Sequence, residues 1–246
     1  MKRSTSRSLA ARAKQTRTEG FTRLELLAVV IFVGMLSVVV LPLVGQGKPR
    51  GQQAVCLNNL RLIGQAILAF DIEHGQTDPW RLPDAESPAP SLKNNAWYHF
   101  WLLTNEIKTP MILACPSDSK TRQAKDFSVS SDGGFLNPNY RNSCISYFLG
   151  LDSFYTLPNS ILAGDRNIQL AGCGPCSSGI NPAGTIYTFG QNLTAWLNGI
   201  HGTSGNILFH DGRVEELATL GLNGAFRSPA DDNGSTHLLL PSPFFP

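Results

Sequence analysis

Residues 24 to 44 form one unbroken apolar run in which Glu25 is the only ionisable side chain. At helical rise such a run reaches about 30 Å, the thickness of a bilayer core, so it reads as one membrane-spanning helix. Six basic residues (Lys2, Arg3, Arg7, Arg12, Lys14, Arg17) and one acidic residue (Glu19) precede it. The positive-inside bias therefore holds the N-terminus in the cytoplasm and places residues 46 to 246 on the other side. A cleaved secretory signal has a shorter apolar region, about 7 to 15 residues, followed by a small-residue cleavage site. Here the run is longer, and Leu41-Pro42-Leu43-Val44-Gly45-Gln46 offers no such site.

A carboxylate inside hydrocarbon costs about 2.5 to 3.5 kcal/mol at the centre of a helix and less near its end, and such groups usually have a partner. Glu25 is open to two readings: a charge that snorkels to the headgroups, or one half of an assembly contact. The stretch Gly20-Phe21-Thr22-Arg23-Leu24-Glu25, after a short basic leader and ahead of the apolar run, resembles the type IV prepilin and type II secretion pseudopilin signal. Gly20, Phe21, Thr22 and Glu25 match its pattern. Arg23 departs from it, since an aliphatic residue is usual there, but the departure does not touch the cleaved bond. The resemblance implies that a prepilin peptidase cuts after Gly20, methylates the new amine of Phe21 and leaves the apolar helix in the product. It also implies that Glu25 neutralises the Phe21 amine of a neighbouring subunit during filament assembly.

Of 20 basic and 18 acidic residues, the leader removes six and one, leaving a mature chain with 14 basic and 17 acidic residues. No basic surface remains that would argue for nucleic acid. About 200 residues beyond the membrane span suffice for one domain with a sizeable core. Sparse charge, at 15%, and abundant glycine (23) and proline (16) suit a loop-rich domain with short strands.

Cys56, Cys115, Cys144, Cys173 and Cys176 all follow the span, on a side that permits disulfides, and an odd number leaves at least one unpaired or otherwise used. Cys173-Gly174-Pro175-Cys176 copies the spacing of a thioredoxin redox pair. Redox pairs of that kind open a helix after a strand, and Ser177-Ser178-Gly179-Ile180-Asn181-Pro182 does not propagate one. The residues instead fit a short-loop disulfide, or half of a structural zinc site with Cys115 or Cys144.

Beyond the membrane run, Pro42 is placed to remove one helix hydrogen bond and bend the axis, and Gly45, Gly47, Pro49 and Gly51 weaken the helix further. Residues 52 to 74 are then helix-periodic. Cys56, Leu60, Ile63, Ile67 and Phe70 fall on one stripe, flanked by Leu57, Ala66 and Leu68, and Gly75 supplies a stop. One long bent helix over about 22 to 74, its second half packed on a sheet, is the simplest architecture. Residues 76 to 95 are polar and proline-rich and read as a surface loop. The aromatic stretch 97 to 103 is a short helix or a strand that closes the core, with His99 as a core or boundary histidine. Residues 119 to 139 read as an exposed loop, and short strand signals follow at 144 to 149 and 160 to 167.

The C-terminal half carries the sequence His201-Gly202-Thr203-Ser204-Gly205-Asn206-Ile207-Leu208-Phe209-His210-Asp211-Gly212. Asp211-Gly212 between strand-like runs reads as a tight hairpin turn with both central residues at positive φ. Ile207 and Phe209 point to one face, Leu208 and His210 to the other. His201, nine residues, then Asp211-Gly212 resembles the closing motif of one bacterial subgroup of prepilin-like proteins. Cys56-Leu57-Asn58-Asn59-Leu60-Arg61 and the turn Cys115-Pro116-Ser117-Asp118 resemble further markers of that subgroup. On this basis His201 is expected to fasten its loop to the hairpin, through a backbone carbonyl or Asp211.

A triad reading of His201, His210, Asp211 and Ser204 lacks a nucleophile elbow or oxyanion-hole pattern, so no enzymatic role is expected. Asp231-Asp232-Asn233-Gly234-Ser235 clusters hard oxygen ligands, and the family resemblance makes calcium there an expectation beside the plainer reading of a solvated turn. No other cofactor is expected. The resemblance implies an α+β, pilin-like fold: a basic leader (1–20), a transmembrane and assembly helix (21–45), and a periplasmic domain (46–246) with a small antiparallel sheet. It further implies an inner-membrane structural subunit whose partners are the peptidase, other pseudopilins, the assembly platform of a type II secretion or type IV pilus system, and the membrane. A membrane-tethered extracytoplasmic ligand-binding protein is the alternative.

Overall fold

In the computed structural model, residues 20–169, 186–189, 195–225 and 236–241 are described. Positions 1–19 of the expected leader, the Cys173/Cys176 pair and Asp231, Asp232 and Asn233 lie outside these residues. The chain divides into two units, Met1–Gly47 and Lys48–Pro246. Helix α1 runs over Arg23–Glu73.

In the first unit the described helical side chains from Leu24 to Val38 are exposed, apart from the half-buried Ser37. Leu24 is 78% exposed, Phe32 65% and Val38 74%, so apolar surface faces outward around the helix circumference. A buried amphipathic helix would show one wet and one dry face. From Leu24 to Val38, apolar side chains are exposed on every face.

The second unit treats the same helix class differently. Cys56, Leu60, Ile63 and Ile67 are fully buried and Phe70 nearly so, as the 3.6-residue stripe requires, whereas the flanking Leu68 is exposed. Among the described residues, Arg50–Glu73 has the length and mean hydropathy (1.3) of a membrane-crossing helix, and half of that window is buried inside the protein. Its apolar stripe belongs to the domain core.

The fold of this unit is α+β with a small antiparallel sheet. Strands β1 (Tyr147–Gly150), β2 (Ile161–Asp165), β3 (Ile168–Gln169), β4 (Ile186–Phe189), β5 (Ala195–Trp196), β6 (Ser204–Phe209), β7 (Val214–Ala218) and β8 (Thr236–Leu239) follow α1. Six of them form one sheet in the order β4-β8-β1-β2-β6-β7, and β3 pairs with β5 apart from it. Period-2 alternation splits the sheet's apolar side chains between two cores. Tyr147, Leu149, Leu208, Val214 and Leu239 join the buried stripe of α1. Phe148, Ile161, Ile207, Phe209 and Leu238 form the second core, with Leu222 from helix α4 (Thr219–Ala225). A register shift between Ile161 and Ala163 puts Leu162 and Ala163 both on the α1 side. Gly64 permits close approach of α1 to the sheet: a Cβ there would sit 3.0 Å from the Leu208 side chain.

The aromatic stretch is helical, as α2 (Ala96–Leu102), followed by the short α3 (Thr104–Ile107). His99 is buried within it, its Nε2 2.7 Å from the Lys93 carbonyl, and burial holds its pKa down at about 4. It is a core histidine. The proline-rich segment 76 to 95 is not simply a surface loop, because Asp78 and Leu82 are buried and the Tyr98 hydroxyl accepts from the Ala89 amide at 3.0 Å. Asp78 lies beside Asp71, near the end of α1, and pairs with Arg81 Nε at 3.2 Å. Burial pushes the Asp78 carboxyl up to about 8; Asp71 beside it adds to the rise and Arg81 opposes it.

The segment 119 to 139 also differs from an exposed loop. Ala124 and Phe135 are fully buried, and the loop closes on itself through Lys125 N to Gly133 O (2.8 Å) and Phe135 N to Asp126 O (2.8 Å). Sequence polarity marked this segment as wet, but two apolar anchors suffice to pin it.

Candidate functional site

At the start of α1, Thr22 and Glu25 form a reciprocal cap. The Thr22 amide and hydroxyl donate to Glu25 Oε2 at 2.9 and 3.0 Å, and the Glu25 amide donates to Thr22 Oγ1 at 3.2 Å. Thr22-Arg23-Leu24-Glu25 is a Ser/Thr-x-x-Glu capping box ahead of an apolar run, a signal legible in the sequence that the pilin resemblance overshadowed. Gly20 and Phe21 precede the helix, Phe21 being 84% exposed. The Gly20–Phe21 bond thus lies outside the helical ladder, with Glu25 one turn inside it.

Cys56, Cys115, Asp118 and His201 come together in the second unit. Cys56 on α1 is disulfide-bonded to Cys115, 59 positions away, with Cα atoms 5.0 Å apart. Of the two zinc partners expected for Cys173 and Cys176, Cys115 is therefore bonded to Cys56, and Cys144 keeps its thiol. Cys144 is buried and free, and desolvation pushes its thiol up to about 12. Asn59 Nδ2 donates to the Ala114 carbonyl at 3.3 Å, and the Tyr147 hydroxyl donates to the Cys56 carbonyl at 3.4 Å. The two sequence markers at 56–61 and 115–118 are therefore the two sides of one joint between helix and turn.

Asp118 organises the far side of that turn. Its amide donates to the Cys115 carbonyl at 2.9 Å, and its carboxylate accepts from Thr121 Oγ1 (2.6 Å), Ser146 Oγ (2.9 Å) and both arms of the Arg166 guanidinium (2.8 and 2.9 Å). Burial would raise its pKa, but the Arg166 fork and the Thr121 hydroxyl outweigh burial and hold the carboxyl below the ordinary value. Pro116 is the second residue of this turn, where its fixed φ suits the bend.

Of the two fastenings expected for His201, the one through Asp211 is not made: the ring turns to Cys115 and Asp165 instead. Its Nε2 lies 3.5 Å from Cys115 Sγ and 3.6 Å from Asp165 Oδ2, and burial lowers its pKa. Asp165 is fully buried at the end of β2, accepting from the Asn206 amide at 2.6 Å and from Asn206 Nδ2 at 3.0 Å, and desolvation pushes its carboxyl up to about 7. Sequence reading missed Asp165, Arg166 and Asn206. Polar residues at strand ends look like surface until the long-range packing that covers them is known.

Asp211 and Gly212 sit apart, in the β6–β7 turn. Gly212 has φ +83°, and among the described residues Asp211 is not in the positive-φ region. Bonds from Gly212 N to Phe209 O (3.0 Å) and Phe209 N to Arg213 O (2.9 Å) define a three-residue loop, not the two-residue turn expected. Asp211 Oδ1 accepts from the Arg213 amide at 2.9 Å, so it serves the turn itself.

The weighed triad is not assembled either. Ser204 Oγ lies 3.1 Å from the His201 carbonyl oxygen and 2.8 Å from Glu216 Oε1, while His210 Nδ1 lies 2.9 Å from Ser153 Oγ. No protein-family model, curated protein or solved structure matches this chain.

Proposed function

We propose that this chain is a pilin-like structural subunit, processed by a prepilin peptidase after Gly20 and polymerised with other pseudopilins into a cell-envelope filament. In this reading α1 is the long N-terminal helix of a pilin. Its first part waits in the inner membrane with the leader in the cytoplasm, and the remaining domain lies in the periplasm. An assembly platform of the type II secretion or type IV pilus kind would extract subunits from the bilayer.

The observation that carries the proposal is the apolar surface on α1 from Leu24 to Val38, uncovered on every face, next to the Gly20–Phe21 bond. Apolar surface on that scale needs lipid or neighbouring helices. Glu25 is its only ionisable group, and here its carboxylate is held by Thr22. That cap gives the free subunit a partner for the charge before a neighbour's Phe21 amine arrives. Mass spectrometry of the native N-terminus tests the reading: methylated Phe21 is expected, and an intact Met1 overturns it. Glu25→Ala is expected to leave processing and insertion intact and to abolish filament incorporation, read by shearing and immunoblotting.

A further inference from the structure

A surface cavity of about 120 Å³ opens in the second unit where four pieces of chain meet: the turn at 118–120, residues 166–167 after β2, the loop 197–200 before β6, and residues 240–241 after β8. Its wall of Ile200, Leu240 and Pro241 is apolar and buried. Lys120, Asn198 and Gly199 are exposed and belong to its rim. Asp118 and Arg166 also line it, but each is engaged with the other in the buried ion pair, so their charges cancel there. A dry cavity of about 150 Å³ takes one benzene ring, so this one has room for a single side chain and little more.

Three polar features of the same lining lack a partner within the protein. Asn167 is 7% exposed. Its Nδ2 donates to the Leu197 carbonyl at 3.0 Å, and the Leu197 amide donates to the Asn167 carbonyl at 2.7 Å, which fixes the side-chain amide in place. Its Oδ1 accepts from no described residue. A buried amide oxygen without a donor is costly, and a ligand N–H is the group that satisfies it. Lys120 has no ion pair among the described residues, so it leaves this lining with one net positive charge. On the same rim, the amides of Asn198 and Gly199 donate to no described residue. Open backbone amides beside a cation suit the capture of a chain-terminal carboxylate.

We propose that this cavity binds an N-acylated apolar amino acid with a free carboxylate, the unit that the C-terminal residue of a polypeptide presents. The apolar side chain enters against Ile200, Leu240 and Pro241. The ligand N–H donates to Asn167 Oδ1, and the carboxylate lies at the rim with Lys120 and the amides of Asn198 and Gly199. Other small ligands leave one of these features unanswered. A free amino acid brings an ammonium group toward Lys120, a fatty acid has no N–H and overfills the cavity, and a sugar leaves the apolar wall without a partner. The proposal is independent of the filament reading, because it needs only the second unit and no cleavage after Gly20.

Fluorescence polarisation on the full chain in detergent micelles tests it, with fluorescein-labelled peptides of one polar sequence that differ only at the last residue. A peptide ending in leucine with a free carboxylate is expected to bind saturably. Its C-terminal amide, its counterpart ending in aspartate, and the ester analogue that replaces the last N–H by oxygen should each bind at least about tenfold more weakly, the scale of one charge-assisted hydrogen bond. Lys120→Ala, on an exposed side chain, should weaken the leucine peptide to a similar degree and leave the thermal midpoint in place. Asn167→Ala should erase the difference between the peptide and its ester analogue, a readout that lost stability alone does not move. N-acetyl-leucine as competitor separates two sources of the same unit: displacement at the peptide's own affinity assigns a free acylated amino acid, and weaker displacement assigns a polypeptide terminus. The proposal is overturned if no free-acid peptide binds, if the amide binds as well as the acid, or if Lys120→Ala leaves affinity unchanged. An intact Met1 in the native protein would sink the filament reading and leave this site standing.

Discussion

The two portions of α1 are both strongly apolar, yet they meet opposite fates. Between Leu24 and Val38 the apolar side chains are exposed around the whole circumference, while between Cys56 and Phe70 one stripe is buried against the sheet. Composition alone does not separate them. The difference lies in pattern: Asn58, Arg61 and Gln65 interrupt the second portion at positions that leave a single dry face, whereas Glu25, in the first turn, is the only ionisable residue of the first. A one-faced helix is satisfied by a sheet within its own chain. A helix apolar on all faces has no single dry side to lay against a sheet.

That contrast is sharpest where the second portion is stapled. Cys56→Ser, which opens a loop of 59 residues, is expected to cost about 4 kcal/mol by loop entropy. Urea unfolding followed by tryptophan fluorescence of the full chain in detergent would measure it. A loss below 1 kcal/mol would mean that packing alone fixes α1 to the turn. Next in size, Ile63→Ala removes a fully buried side chain and should cost about 2 to 5 kcal/mol. Its counterpart Ile31→Ala, on a half-exposed residue, should shift the same transition by no more than about 0.5 kcal/mol. Equal effects from the two substitutions would erase the distinction between the portions.

A smaller effect is expected at the C-terminal end of α1, where Asp71 and Asp78 share a buried site facing Arg81 and His74. Because the folded Asp78 carboxyl is raised from 3.8 to about 8, the native state binds more protons than the unfolded chain between those values. Stability should therefore fall as pH climbs through that window and level off above it. Asp78→Asn should flatten the profile; a wild-type profile that rises with pH over the same range would show the pair to be ionised. Smallest of all, Thr22→Ala should fray only the first turn of α1, seen as faster amide exchange at Leu24 and Glu25. The unfolding transition of the second unit should not move.

Much of the second unit was legible from local pattern. The stripe Cys56, Leu60, Ile63, Ile67 and Phe70 needed only the helical period, and the alternation of Ile207, Leu208, Phe209 and His210 needed only the strand period. The loops were less transparent. Phe135 and Leu82 anchor segments whose average composition is polar, and one buried side chain does not alter a windowed pattern. The hairpin at Asp211-Gly212 was recognisable as a turn, but its loop length was set by the register that β6 and β7 adopt, Leu208 opposite Val214.

The candidate site was legible as parts and not as a whole. Cys56, Asn59, Cys115, Asp118 and His201 each stood out in motifs, but nothing in their spacing says that Cys56 bonds Cys115 or that His201 turns toward that bond and away from Asp211. Asp165, Arg166 and Asn206 carried no signal, because their importance comes from being buried.

By itself the sequence determined the apolar run and its lone carboxylate, the one-faced helix that follows, and the strand-turn pattern of the C-terminal half. All of these are short-range: they follow from which residues recur at 3.6 or 2 positions and from which conformations glycine and proline permit. Tertiary structure alone decided the disulfide, the Asp118–Arg166 pair and the meeting of Cys115, Asp165 and His201. Those contacts join residues dozens of positions apart, and their energies exist only once folding has excluded water from around them.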